Sequence, residues 1–209
     1  MSAHAMAAAG TTGSQGLWLV SRASGLVLLV LFTAVVVLGV STWKGTSSRR
    51  WPRFAVAELH RTLSLFAVAL LGLHVATALL DPYVSISWLA SVLPFTSHYE
   101  TLAIGLGTLA VDIAGAVLIT SLLRVRLGLR MWRAVHYLAY LAWPLAFVHS
   151  ITAAGYDQHS GWVVGIEWGS LAAVVVAVAF RLLGGRQASE PSSATTRRPV
   201  EAQRAGRGR

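Results

Sequence analysis

Residues 54–80 read FAVAELHRTLSLFAVALLGLHVATALL. In this stretch one acid (Glu58), one cation (Arg61) and two histidines (His60 and His74) interrupt a run that is otherwise apolar or small. As a helix it would be about 40 Å long, more than the roughly 30 Å of a bilayer's hydrocarbon core. An isolated strand would leave its backbone groups unpaired in lipid, so helix is the available solution.

The same reading extends to 17–41, 101–123, 131–154 and 162–183, giving an all-α integral membrane bundle of five transmembrane helices. Composition agrees: 55% of the 209 residues are hydrophobic and 12% charged, with mean hydropathy +0.62, too apolar for a soluble domain of this size. Between the second and third spans, 84–95 is a shorter apolar piece bounded by Pro82 and Pro94, and it reads as an interfacial or re-entrant segment at the outer interface. Residues 1–16 lack a basic region followed by an apolar core and read as a flexible N-terminus, not a cleaved signal, so 17–183 is the membrane domain. Residues 184–209, rich in Ser, Ala and Arg, read as a disordered basic cytoplasmic tail against the anionic inner leaflet.

The net charge of +9 comes from 17 Lys and Arg against 8 Asp and Glu. Apart from Arg22, the cations fall in the first connection and its margins (Lys44, Arg49, Arg50, Arg53, Arg61), the third (Arg124, Arg126, Arg130, Arg133) and the C-terminal region from Arg181 onward. The second and fourth connections carry Asp81, Glu100, Asp157 and Glu167 and no cation. The positive-inside rule therefore places the N-terminus outside and the C-terminus in the cytoplasm. The cations form no single basic face, which argues against nucleic acid. With no cysteine, disulfides, thiolate metal ligation, iron–sulfur clusters, covalent haem attachment and thiol nucleophiles are excluded.

Of the seven histidines, His60, His74, His136 and His149 lie within spans, where ionisable residues are costly and mark function. His60 and His74 are separated by about 40° in azimuth and about 21 Å along the helix. The second and fourth helices run in the same direction, so His60 and His136 share the inner level, and His74 and His149 the outer. A cofactor requiring two opposed nitrogen ligands fits each level, and bis-imidazole haem is the obvious one. Zinc or copper would want its ligands clustered. The spacing of His136 and His149 turns an ideal helix by about 220°, a mismatch that Pro144 could relieve by distorting it. A lone membrane histidine is as readily a packing residue, but four at matched depths are not.

The segments LHRTLSLFAVALLGLHVATALLDPY (59–83) and WRAVHYLAYLAWPLAFVHS (132–150), with the intervening helix, closely resemble the ferric reductase-like transmembrane family. That family includes NADPH oxidases and the haem subunit of the bacterial methionine sulfoxide repair system. The resemblance spans about 17–183. It implies two b-type haems, held by His60 with His136 and by His74 with His149, that pass single electrons across a bacterial cytoplasmic membrane. Well-known members continue into a cytoplasmic FAD- and NADPH-binding module, which 184–209 is too short to form. The expected partners are thus membrane lipid, a separate donor (flavoprotein or quinol) and an extracytoplasmic acceptor. The chain would then be the electron-transfer component of a membrane oxidoreductase, with flavin only on the partner.

Around the histidines, Arg22 resembles an arginine near the outer haem of the oxidase branch and is a candidate for a propionate or an anionic acceptor. Snorkelling to the interface explains it equally well. Arg61 and Arg133 adjoin the inner histidines and are candidates for inner propionates, with charge topology as the competing reason. Asp112, mid-span, reads as a structural hydrogen-bonding group ahead of a proton path. Gly72, Gly105, Gly107 and Gly115 would allow close approach of helices or a porphyrin. Trp18, Trp43, Trp51, Trp88, Trp132 and Trp162 read as an interfacial belt. Tyr137, Tyr140 and Trp143 read as packing ahead of pocket lining, His98 and His159 as exposed loop residues, and His4 as part of the flexible N-terminus. A cofactor-free scaffold or transporter subunit and a haem-based sensor are the competing functions.

Overall fold

The structure, a computed structural model, describes residues 3–43, 52–82, 84–155 and 159–186. They form α1 (Ala3–Trp43), α2 (Arg53–Leu80), a 3-10 turn at Trp88–Ser91, α3 (Thr101–Leu122), α4 (Arg124–His136), α5 (Ala139–Ala153) and α6 (Gly161–Arg186). Among the described residues there is no strand. Four helices are long and apolar enough to cross a membrane: Gln15–Ser41 within α1, then α2, α3, and Gly161–Leu183 within α6. A fifth crossing results if α4 and α5, bent by 42°, are one span. The helices carry large apolar residues outward, Val27, Phe66, Leu73 and Val176 among them, as lipid-facing helices must.

Local chemistry sets the ends. Pro52 starts α2, its carbonyl accepting from the amides of Ala55 (3.0 Å) and Val56 (3.3 Å). Asp81 stops α2 in an extended conformation (φ −74°, ψ 112°), which the following Pro82 imposes. α1 continues N-terminal of its expected start at 17 back to Ala3, through an alanine-rich stretch of high helix propensity. Residues 44–51 and 187–209, with Lys44, Arg49, Arg50, Trp51 and most of the expected tail, lie outside the described residues, as does Asp157.

α1 is the central helix, packed on α2, α5 and α6, while α3 packs on α5 and α4. Leu29 of α1 meets Trp143 and Phe147 of α5 in a buried cluster that Leu171 and Val174 of α6 close. The Trp143 indole donates to Thr33 Oγ1 at 3.0 Å and stacks on Phe147, so it is a core residue joining α1 to α5. α2 is held chiefly by α1, and α5 by α3 and α1. α2, with His60 and His74, and the α4–α5 span, with His136 and His149, are thus joined mainly through α1 and α3.

The fourth span is not the single helix expected at 131–154. It breaks at Tyr137–Leu138, where bonds close three residues back: Leu138 to Val135, Tyr140 to Tyr137 and Leu141 to Leu138. Pro144 is the expected site of distortion, but it lies inside α5 and the break is nearly two turns earlier. Proline has no amide to donate to the Tyr140 carbonyl, which weakens the turn preceding it. The segment at 84–95 adds no span. It tucks against α3 through Thr108 Oγ1, which donates to the Ala90 carbonyl at 2.7 Å, and through the Phe95 ring, which lies on Gly105.

Candidate functional site

Four imidazoles form two facing pairs. His60 on α2 meets His136 at the end of α4 with ring centroids 6.3 Å apart and planes at 69°, and His74 on α2 meets His149 on α5 at 6.3 Å and 77°. A metal ion bound by two opposed imidazole nitrogens at about 2.0 Å holds those nitrogens about 4 Å apart. Each ring centre is set back by just over ~1 Å, which gives about the observed separation. No group of three or more His, Cys, Asp or Glu gathers among the described residues, so each facing pair could offer a metal at most two imidazole nitrogens.

Hydrogen bonds decide which nitrogen is available. His60 Nδ1 donates to the Val35 carbonyl (3.0 Å), His74 Nδ1 to the Ser21 carbonyl (2.9 Å) and His149 Nδ1 to the Ala103 carbonyl (2.7 Å). A carbonyl can only accept, so the proton sits on Nδ1 and Nε2 keeps its lone pair for a metal. Ser24 Oγ adds a contact to His74 Nδ1 at 3.3 Å.

Each of these bonds is made beside a glycine. A Cβ at Gly39 would lie 3.3 Å from His60 Cε1, one at Gly25 3.0 Å from His74 Cε1, and one at Gly107 2.8 Å from both His149 Cε1 and Nδ1. In all three cases the accepting carbonyl belongs to the residue four positions before the glycine. The ring lies in the notch left by the missing side chain and reaches the carbonyl one turn back. Sequence reasoning singled out Gly107 but missed Gly25 and Gly39. Their spacing of 14 matches that of His60 and His74, as antiparallel neighbours in constant register require. Gly72 and Gly115 meet nothing within 4 Å, and Gly105 meets Phe95.

A cavity of about 430 Å³ opens at the His74 and His149 level, walled by apolar side chains of α1, α2, α3 and α5 and reached by Arg22 and Glu167. Arg22 donates to the Ala154 carbonyl and lies 5.0 Å from the Trp18 ring centre. Glu167 corrects the sequence reading: it was counted with the fourth connection, yet it lies in α6, 1% exposed, accepting from Ser150 Oγ at 2.9 Å. Its position among apolar neighbours gave no pairing clue. Asp81, also assigned to a connection, is buried at the same level.

Arg61 and Arg133 are exposed beside His60 and His136. Asp112 is exposed on α3 and makes no side-chain hydrogen bond among the described residues: the inward face of α3 runs through Gly107, Ala110, Val111 and Ala114, and Asp112 lies off it. Tyr137 and Tyr140 stack, with Arg181 over both and donating to the Tyr140 hydroxyl at 2.6 Å. His98 and His159 are exposed, and the side chain of His4 lies outside the described residues.

Fold and site define a helical membrane protein with two bis-imidazole levels. The profile of the family described as ferric reductase like transmembrane component matches residues 24–148, more than half of the chain, and the chain belongs to that family. The match takes in His60, His74 and His136 and stops one residue before His149. No curated protein matches the chain. Membership points to transmembrane electron transfer, and domains of this family generally bind haem and usually work with separate electron donors.

Proposed function

We propose that the chain conducts single electrons across a membrane through two b-type haems, one held by His60 and His136 and the other by His74 and His149. The observation that carries this reading is the 6.3 Å separation of the facing rings at both levels. Bound haem would supply a one-electron iron couple with both axial positions filled, suited to outer-sphere transfer. The chain's own part is to hold the ligands. The carbonyls of Val35, Ser21 and Ala103 fix the tautomer and orientation of three imidazoles and raise their basicity. At the His74/His149 level, the cavity of about 430 Å³, mostly apolar in its lining, is where the edge of a flat macrocycle would lie. Arg22, at the cavity, would meet an anionic edge or an anionic acceptor, and Arg61 and Arg133 would serve the other level.

The cation distribution supports an N-terminus outside and a cytoplasmic C-terminus, with His60 and His136 toward the cytoplasm, and the membrane in this reading is a bacterial cytoplasmic one. A separate flavoprotein or quinol would deliver electrons, and an extracytoplasmic acceptor would receive them. The decisive experiment is a reduced-minus-oxidised visible spectrum with haem quantified per chain. Wild type should hold about two b-type haems and His74→Ala about one. A colourless wild type from haem-replete cells would sink the reading.

A further inference from the structure

Three of the four imidazoles are seated alike, in a glycine notch with Nδ1 on the carbonyl one turn back; His136 is not. Its Nδ1 is the one buried side-chain polar atom without a hydrogen-bond partner among the described residues. The ring instead stacks on Trp132, with centroids 5.0 Å apart and planes at 28°. Trp132 is fixed in turn: its Nε1 donates to Ser121 Oγ at 3.3 Å, and the Arg124 guanidinium lies 5.0 Å over the indole. A step of 14 from Gly107, the step that separates Gly25 from Gly39 on α1, lands on Ser121. Where a fourth glycine would stand, α3 carries the residue that anchors the indole.

Resting on the two-haem reading, we propose that Trp132 is the positioning residue for His136, and that stacking in place of a carbonyl bond makes the His60/His136 haem the more easily reduced of the two. A proton shared from Nδ1 with a carbonyl makes the ligating nitrogen a stronger donor and favours ferric iron. Both ligands receive that help at the His74/His149 level and only one at the other. Charge acts in the same direction: Arg61, Arg124 and Arg133 border the His60/His136 end, whereas two buried acids, Asp81 and Glu167, accompany Arg22 at the opposite cavity. Nearby cations favour the less positive, reduced iron. One electron supplied by dithionite converts one ferric iron to ferrous with no ligand exchanged, and it resides at the His60/His136 level. The expected bias is on the order of tenfold, the low end for outer-shell partners, or about 59 mV for a one-electron couple.

The test is a potentiometric titration of the purified protein, followed by visible and electron paramagnetic resonance spectra, with sites assigned through His74→Ala and His60→Ala. The haem remaining in His74→Ala should have the higher midpoint. Trp132→Leu should move the midpoint and low-spin signal of that site alone, and Trp132→Phe, which keeps a stacking ring, should restore both. If a single-site variant fails to assemble, the signal that Trp132→Leu perturbs in the two-haem protein identifies the site. Equal or reversed midpoints, or a Trp132→Leu variant that moves neither signal or both, would overturn this inference while leaving the two-haem reading intact. Absence of haem from wild type would overturn both.

Discussion

The α1–α2 pair and the pairing of α3 with the broken α4–α5 span each position two imidazoles, but only the first does so by repetition. On α1 and α2 the glycines and the histidines are both 14 residues apart, so one contact recurs a little under four turns later, with the same notch and the same bond. On the other side the histidines are 13 apart, and the repeat fails: His149 has its glycine and carbonyl, while His136 has Trp132. Two continuous antiparallel helices keep their register, so equal spacing gives equal surroundings. A broken helix can match one level and must improvise the other.

The break also explains how a spacing of 13 can work at all. An unbroken helix would leave His149 roughly 140° short of alignment with His136. Residues wound with bonds to the third neighbour turn by about 120° in place of about 100°, so each adds ~20°. The tightened turn at Tyr137–Leu138 therefore recovers part of that offset. The 42° bend then directs α5 independently of α4.

The largest effect should come from filling the tightest notch. Gly107→Val, whose Cβ would begin 2.8 Å from the His149 ring, should expel that imidazole and reduce haem from about two per chain to about one, measured as the pyridine haemochrome. Next is Pro144→Ala, which restores an amide donor for the Tyr140 carbonyl and relaxes the break. Haem retention during detergent washing should fall severalfold, and full retention would show that the tightened turn needs no proline. The smallest effect belongs to Gly39→Ala: a Cβ 3.3 Å from His60 Cε1 can be met by a shift of a few tenths of an ångström. Both haems should remain, with a small change in the low-spin signal of the His60/His136 site. Loss of that haem would mean α1 is as unyielding there as α3 is at Gly107.

Much of the architecture is legible in the chain itself because lipid leaves few choices. A long apolar run must be helix, and an imidazole within it must have a reason, so the spans and the four histidines at two depths follow from residues such as those of 54–80. Asp112 and Glu167 show where that reading ends. Both are acids in apolar helices, yet one is exposed and the other buried on Ser150, and azimuth around the packed bundle separates them.

What the sequence determined by itself is the class, the helices and the candidate ligands, because each rests on local composition and on spacing along one helix. That the rings face each other at 6.3 Å, that Gly25 and Gly39 are the seats of His74 and His60, and that His136 stands apart became visible in the packed bundle alone. Those facts depend on the register between helices distant in the chain and on where the fourth span breaks. Packing of the whole bundle sets both.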